Sequence, residues 1–222
     1  MMGREITQRP GFVVGLDLGQ ANDFTAVTVL DRVVQFALDQ SERMPLEHTR
    51  RISYEVPHLQ RYKLGTPYPA IAEAVGKLLV ALPERKVRPE LVVDATGGGR
   101  PVVDLLTKAR LRPIAVSITG GSNETSSADF AHSVPKRNLV SALQVVLQSG
   151  RLKVARGLPD AETLISELAN FRVKINVTTG HDSYEAWRES IHDDLVLSAS
   201  LAVWYAERRL RFTSSVQPFP LI

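Results

Sequence analysis

The segment FVVGLDLGQANDFTA, residues 12–26, is an apolar run that ends on a carboxylate, Asp17, followed by a GQAND turn. Val13, Val14 and Leu16 have the character of a buried strand, and TAVTVLDRVVQF, from Thr25 to Phe36, continues as a second, neighbouring strand. An Asp at the end of a strand has an ordinary explanation: Asp17 would cap the bend, and Asp23 would accept backbone hydrogen bonds in the turn. What lifts Asp17 above that explanation is the rest of the chain.

The pattern recurs in LVVDATGGGR, residues 91–100, where a second apolar run delivers Asp94, and in HDDLVLSASLAVW, residues 192–204, where Asp193 and Asp194 open an apolar helix. Taken singly, Asp94 caps the glycine turn, and the paired Asp residues complement the positive end of a helix dipole, with His192 beside the cap. Taken together, three acidic clusters at the ends of strands and a helix would repel one another and raise one another's pKa. Such an arrangement is costly for folding alone and suits a site for hard divalent cations. Two such ions activate water and neutralise an attacked phosphodiester, so the residue types point to hydrolysis of that bond.

The remaining chain supplies a frame. Residues 54–64 read as a third strand interrupted by Pro57, and TPYPAIAEAVGKLLVAL, residues 66–82, as a helix with prolines in its first turn. Glu90 to Asp94 is a short strand, PVVDLLTKARL a helix, and RPIAVSI a returning strand. GGSNETSSAD, residues 120–129, reads as an exposed loop or the tip of an extended hairpin. KRNLVSALQVVLQSG is an amphipathic helix ended by Gly150, and another helix starts near Asp160. FRVKINVT, from Phe171 to Thr178, alternates as a strand with one wet face, and a last helix runs from about His192 to Leu210. The expected domain is residues 11–212, with flexible tails at 1–10 and 213–222.

Composition narrows the function. A chain of 222 residues, 44% apolar, suits one sizeable core. The absence of cysteine excludes disulfides and thiolate metal sites, and five histidines leave oxygen donors as the principal ligands. No run approaches the length of a membrane span and the N-terminus has no signal-peptide core, which places the expected location in the cytoplasm, with no membrane partner. The net charge of +3 permits a polyanionic partner without demanding one.

The element order, with an Asp after the first strand, an Asp ending the fourth and carboxylates on a late helix, resembles the ribonuclease H-like fold: a mixed five-stranded sheet with helices on both faces. Within it, DLGQANDFTA, VVDATGGGRPVVDLL, VPKRNLVSAL and HDDLVLSASLAVW resemble the nuclease domain of the large terminase subunit of tailed bacteriophages, across most of residues 11–210. The resemblance implies a two-metal DNA endonuclease using Mg²⁺ or Mn²⁺ to cut concatemeric phage or prophage DNA during packaging. It implies Asp17 as the ligand bridging both ions, Asp94 on one ion, and either Asp193 or Asp194 on the other. Asp23 and His192 would act from behind these ligands, His192 as a ligand or proton shuttle. The chain departs from the family in having no GxxxxGK[ST] loop, since Gly76-Lys77 is followed by leucines, so the packaging ATPase, the small subunit and the portal are expected as separate partners.

Contacts to double-stranded DNA are expected from Lys136 and Arg137 at a helix start, and from Arg61 and Lys63 with Arg43, Arg50 and Arg51 around the third strand. Trp187 and Trp204 are expected in the core. Alternatives of the same fold are a Holliday-junction resolvase and a catalytically silent DNA-binding or assembly module. A sugar-kinase or actin-like ATPase shares the DLG turn but needs a second such domain.

Overall fold

The structure, a computed structural model, describes residues 5–19, 23–37, 49–97, 99–127, 131–177 and 192–213. Arg43, Trp187, Thr178 and the tail from 214 onward lie outside these residues, as do residues 1–4. The strands are β1 (Glu5–Gln8), β2 (Phe12–Asp17), β3 (Ala26–Ala37), β4 (Arg51–Arg61), β5 (Glu90–Asp94), β6 (Pro113–Thr119), β7 (Thr125–Ser126), β8 (Ala131–Pro135) and β9 (Leu152–Val154). The helices are α1 (Tyr68–Ala81), α2 (Gly99–Lys108), α3 (Lys136–Gln148), α4 (Ala161–Val177) and α5 (Asp194–Thr213).

Among the described residues all strands join one sheet in the order β7-β8-β6-β5-β2-β3-β4-β9, with β1 paired to β3 off that path. The five strands expected from the sequence form its unbroken centre, β6-β5-β2-β3-β4, antiparallel from β2 to β4 and parallel from β2 to β6. The four others are short additions at the margins, and runs of two to five residues carry too little alternation to announce themselves. Residues 5–8, expected within a flexible tail, are among them. β3 has 12 residues against six in β2, and the surplus Val34–Ala37 finds its backbone partners in β1.

Phe171–Val177, expected as a strand, is instead the C-terminal part of helix α4. Alternation places Phe171 and Ile175, and Val173 and Val177, four residues apart as well as two, so one set of residues satisfies both periods. A helix already started at Ala161 then propagates at little cost.

Helices cover both faces. Phe12, Val14, Leu16, Val27, Val29, Leu91 and Val93 pack with α1 and α2, while Val13, Ala26, Leu30, Tyr54 and Val92 pack with α3, α4 and α5. Every residue of β2 is therefore buried, which explains its uninterrupted apolar run. On the second face α5 approaches β2 closely at Gly15, where a Cβ would sit 1.9 Å from the Ser198 carbonyl oxygen. Thr28, the cross-strand neighbour of Gly15, shares a buried 2.7 Å hydroxyl hydrogen bond with Ser198. Gly15→Ala is expected to lower unfolding stability in urea by about 3 kcal/mol, because neither backbone can yield without moving the other. A loss within experimental error of zero would show that α5 is not seated on β2 in this way.

Candidate metal centre

Parallel pairing of β2 with β5 aligns Leu16 with Val93, so Asp17 and Asp94 are the next residues on adjacent strand ends, about 4.8 Å apart in backbone spacing. Both point to the α5 face, since Val13, Gly15 and Asp17 alternate on it and Val92 precedes Asp94 by two. Each of the two carboxyl groups acts on the other. Asp94 also holds the turn that follows it: its Oδ1 accepts from the Thr96 backbone N–H at 2.8 Å and from the Thr96 hydroxyl. Thr96 Oγ1 in turn accepts from the Ile118 N–H at 2.8 Å, and Gly97 takes a left-handed φ of 62°. Gly97 thus serves the turn, while Gly99 opens helix α2 and Gly98 lies outside the described residues.

The third carboxylate arrives on α5. Ser198, seated at Gly15, lies one helical turn beyond Asp194, and Asp17 lies two residues beyond Gly15 on the same strand face, so the packing contact brings Asp194 alongside Asp17. Asp194 is 4% exposed. Its Oδ2 is buried with no hydrogen-bond partner, since Arg61 Nη1 at 3.7 Å and His192 Nδ1 at 3.8 Å are ion-pair separations only. Asp23, His192 and Asp194 each bring one ligand atom to within 4.8 Å of the others. Asp23 reaches this point because the turn closes tightly at Gly19, where a Cβ would meet the Asp23 carbonyl oxygen at 2.2 Å. Phe24 then lies edge-on to the His192 ring, with centroids 4.8 Å apart, and beneath the Arg61 guanidinium at 4.4 Å.

Asp193 is oriented differently. Its Oδ2 accepts from Lys136 Nζ at 3.0 Å, tying the start of α5 to the start of α3. Lys136, expected as a DNA contact, thereby places its charge inside the acidic cluster, where it also acts on Asp17 and Asp94. Arg61 is likewise drawn in: it is largely buried, 3.5 Å from Glu167 and 3.7 Å from Asp194. Arg50 and Arg51 stand at the opposite end of β4, about 33 Å away along the strand, so this group of cations does not form one patch. Arg137 and Lys63 remain exposed, Arg137 donating to the Ser122 carbonyl at 3.0 Å. Trp204 is 5% exposed and donates to Glu124 at 3.2 Å, as befits a core residue with a polar handle.

Glu167 is the residue that sequence reading overlooked. It is 5% exposed, and its Oε2 accepts from the backbone N–H groups of Leu195 at 3.0 Å and Val196 at 3.1 Å. A signal existed: Glu167 falls three residues after Leu164 and directly before Leu168, on the apolar stripe of its helix.

Electrostatics follow from this crowding. Burial, then repulsion from Asp94, Asp194 and Asp193, holds Asp17 well above the usual carboxylate range, with Lys136 opposing. Burial also raises Asp94, against the hydrogen bonds from Thr96 and Asp17. Asp194 is pushed up to about 6, chiefly by burial. Glu167 is pushed up to about 7, again by burial, with the Val196 N–H and Arg61 pulling the other way. Each of these groups resists ionisation until a cation compensates it.

A family model described as the terminase RNaseH-like domain matches residues 64–205, more than half of the chain. The chain belongs to this family. Among solved structures, the terminase RNaseH-like fold seen here is similar to the human cytomegalovirus terminase nuclease domain, manganese-soaked and inhibitor-bound. The identity is 14% and the TM-score 0.50, over 89% of this chain and 83% of that one. The large-terminase nuclease domain of bacteriophage SPP1 with bound manganese matches at 10% identity and TM-score 0.41, over 90% and 86%. The RuvC structure of Thermus thermophilus matches at 14% and 0.35, over 91% and 97%. No curated protein matches the chain. Among the described residues, no helix is long and apolar enough to cross a membrane.

The donor set of this terminase RNaseH-like domain fits a hard divalent cation. Carboxylate oxygens dominate, a single imidazole accompanies them, and the orphaned Oδ2 of Asp194 lacks the partner that a buried oxygen requires. The acidic cluster can thus hold Mg²⁺ or Mn²⁺. Because the folded state raises these carboxyl groups above their unfolded values near 4, it retains protons that the unfolded chain releases. Their contribution to stability is present at low pH and is lost as pH rises through about 6 and 7. With chelator present, the urea midpoint is expected to fall across that window, and Asp194→Asn to flatten the fall. Added Mn²⁺ should stabilise more at pH 8 than at pH 5, and an equal gain at both would contradict the coupling of metal to these carboxylates.

Proposed function

We propose that this chain is a metal-dependent endonuclease that hydrolyses phosphodiester bonds of double-stranded DNA, the cutting component of a DNA-packaging terminase. Its nuclease domain spans residues 11–212, β1 from the preceding segment adds a strand to the sheet, and it works with a packaging motor, a small subunit and a portal. The observation that carries the reading is the meeting of three independently delivered carboxylates, Asp17, Asp94 and Asp194, at one end of the sheet. A purely structural role would leave them paired with cations, yet Asp194 keeps a buried oxygen without a hydrogen bond.

Asp17, at the centre of the cluster, is assigned as the ligand shared between two ion positions. Asp94 and Asp194 both act on it, and Asp194 converges with His192 and Asp23; these residues would hold the ions. Asp194 rather than Asp193 is the direct ligand, because Asp193 is occupied by Lys136. Ions bound there would supply Lewis-acid activation of water and neutralise charge at the attacked phosphate. Exposed Arg137 and Lys63 are assigned to backbone contact with the duplex, which makes cleavage independent of sequence.

The test is plasmid cleavage in Mg²⁺ or Mn²⁺. Activity should vanish with chelator and in folded Asp17→Asn, Asp94→Asn and Asp194→Asn variants, while Asp193→Asn should be weakened only about 10–100-fold. Undiminished cutting by the Asp17 and Asp94 variants would sink the assignment. Preference for a four-way junction over linear duplex would move the protein to the resolvases, and absence of cutting under every metal would leave a silent module.

A further inference from the structure

We propose that Glu167 is a positioning residue for the metal centre, reaching from α4 to cap the first turn of α5 and thereby setting Asp194 in place. The inference rests on the reading of Asp194 as a metal ligand. Helix α5 begins at Asp194, so Asp193 occupies the N-cap position, and the Leu197 N–H already bonds to its carbonyl at 2.8 Å. An N-cap Asp normally turns its side chain back onto the N–H groups two and three residues ahead. Here that side chain goes to Lys136 instead, and the N–H groups of Leu195 and Val196 are left to be met from elsewhere. Glu167 Oε2 meets both, at 3.0 and 3.1 Å.

The consequence is that the first turn of α5 is held by other parts of the fold rather than by its own cap. Glu167 is fixed by Arg61, whose Nη1 lies 3.5 Å from Glu167 Oε1 and 3.7 Å from Asp194 Oδ2, so one guanidinium sits between the two buried carboxylates. Arg61 is fixed in turn: its backbone N–H donates to Asp160 Oδ2 at 2.8 Å, and its guanidinium lies over Phe24. Strand β4, helix α4 and the Asp23–Phe24 turn thus converge on the residue that presents an unpartnered oxygen to Asp23 and His192. Supporting groups of this kind orient a ligand without touching the metal.

Mn²⁺ binding to the full chain, followed by electron paramagnetic resonance and paired with thermal unfolding, separates positioning from mere stability. Glu167→Ala should weaken Mn²⁺ binding about 10–100-fold, and Glu167→Gln, which keeps an acceptor oxygen, should recover most of it. Glu124→Ala is the control. It removes an acceptor of Asn138, Trp204 and Arg208, some 15 Å along α5 from Asp194, and should lower the melting temperature with unchanged Mn²⁺ affinity. A folded Glu167→Ala protein that binds Mn²⁺ as tightly as the wild type overturns the positioning role alone. A wild-type protein that binds no Mn²⁺ overturns the metal reading and this inference with it.

Discussion

The contact on which the rest depends is the seating of α5 against β2 at Gly15. Without a side chain there, the helix backbone comes close enough for Ser198 to bond Thr28 across the interface. That single approach fixes the depth and rotation of α5, and because the helical turn and the strand pleat have fixed repeats, it also fixes where Asp194 lies relative to Asp17. Packing and chemistry are thus set by the same residue. A bulkier β2 would still make a sheet, but it would hold the late helix away from the strand ends.

Around that contact the protein gathers more negative charge than folding alone favours. Asp17, Asp94 and Asp194 are each raised above the ordinary carboxylate range, and Glu167 stands beside them at about 7. Two cations contain the repulsion, Lys136 on the Asp193 side and Arg61 between Asp194 and Glu167. Neither completes the site, since an oxygen of Asp194 remains buried and unbonded. Stability is held back locally where cation binding can later supply it.

Much of this was legible in the residues. Uninterrupted apolar character in β2 and β5 marks strands buried on both faces, and a carboxylate at the end of each is visible without coordinates. Helices α1, α2, α3 and α5 follow from their spacing. Phe171–Val177 misled because alternation over seven residues also satisfies helical spacing, and the marginal strands β1, β7, β8 and β9 were too short to register. The cations were less legible, because charge in a sequence carries no direction: Lys136 and Arg61 are ion-paired to the acidic cluster, which no local pattern announces.

By itself, then, the sequence determined the element order of the central sheet, the carboxylates at its strand ends and the family they indicate, because periodicity and residue type are local properties. Only the tertiary structure decided that Asp193 pairs with Lys136, that Asp23 and His192 converge with Asp194, and that Glu167 caps α5 from another helix. Those are relations between segments more than twenty residues apart, and they are settled by how closely backbones can approach and by which buried donors still need an acceptor.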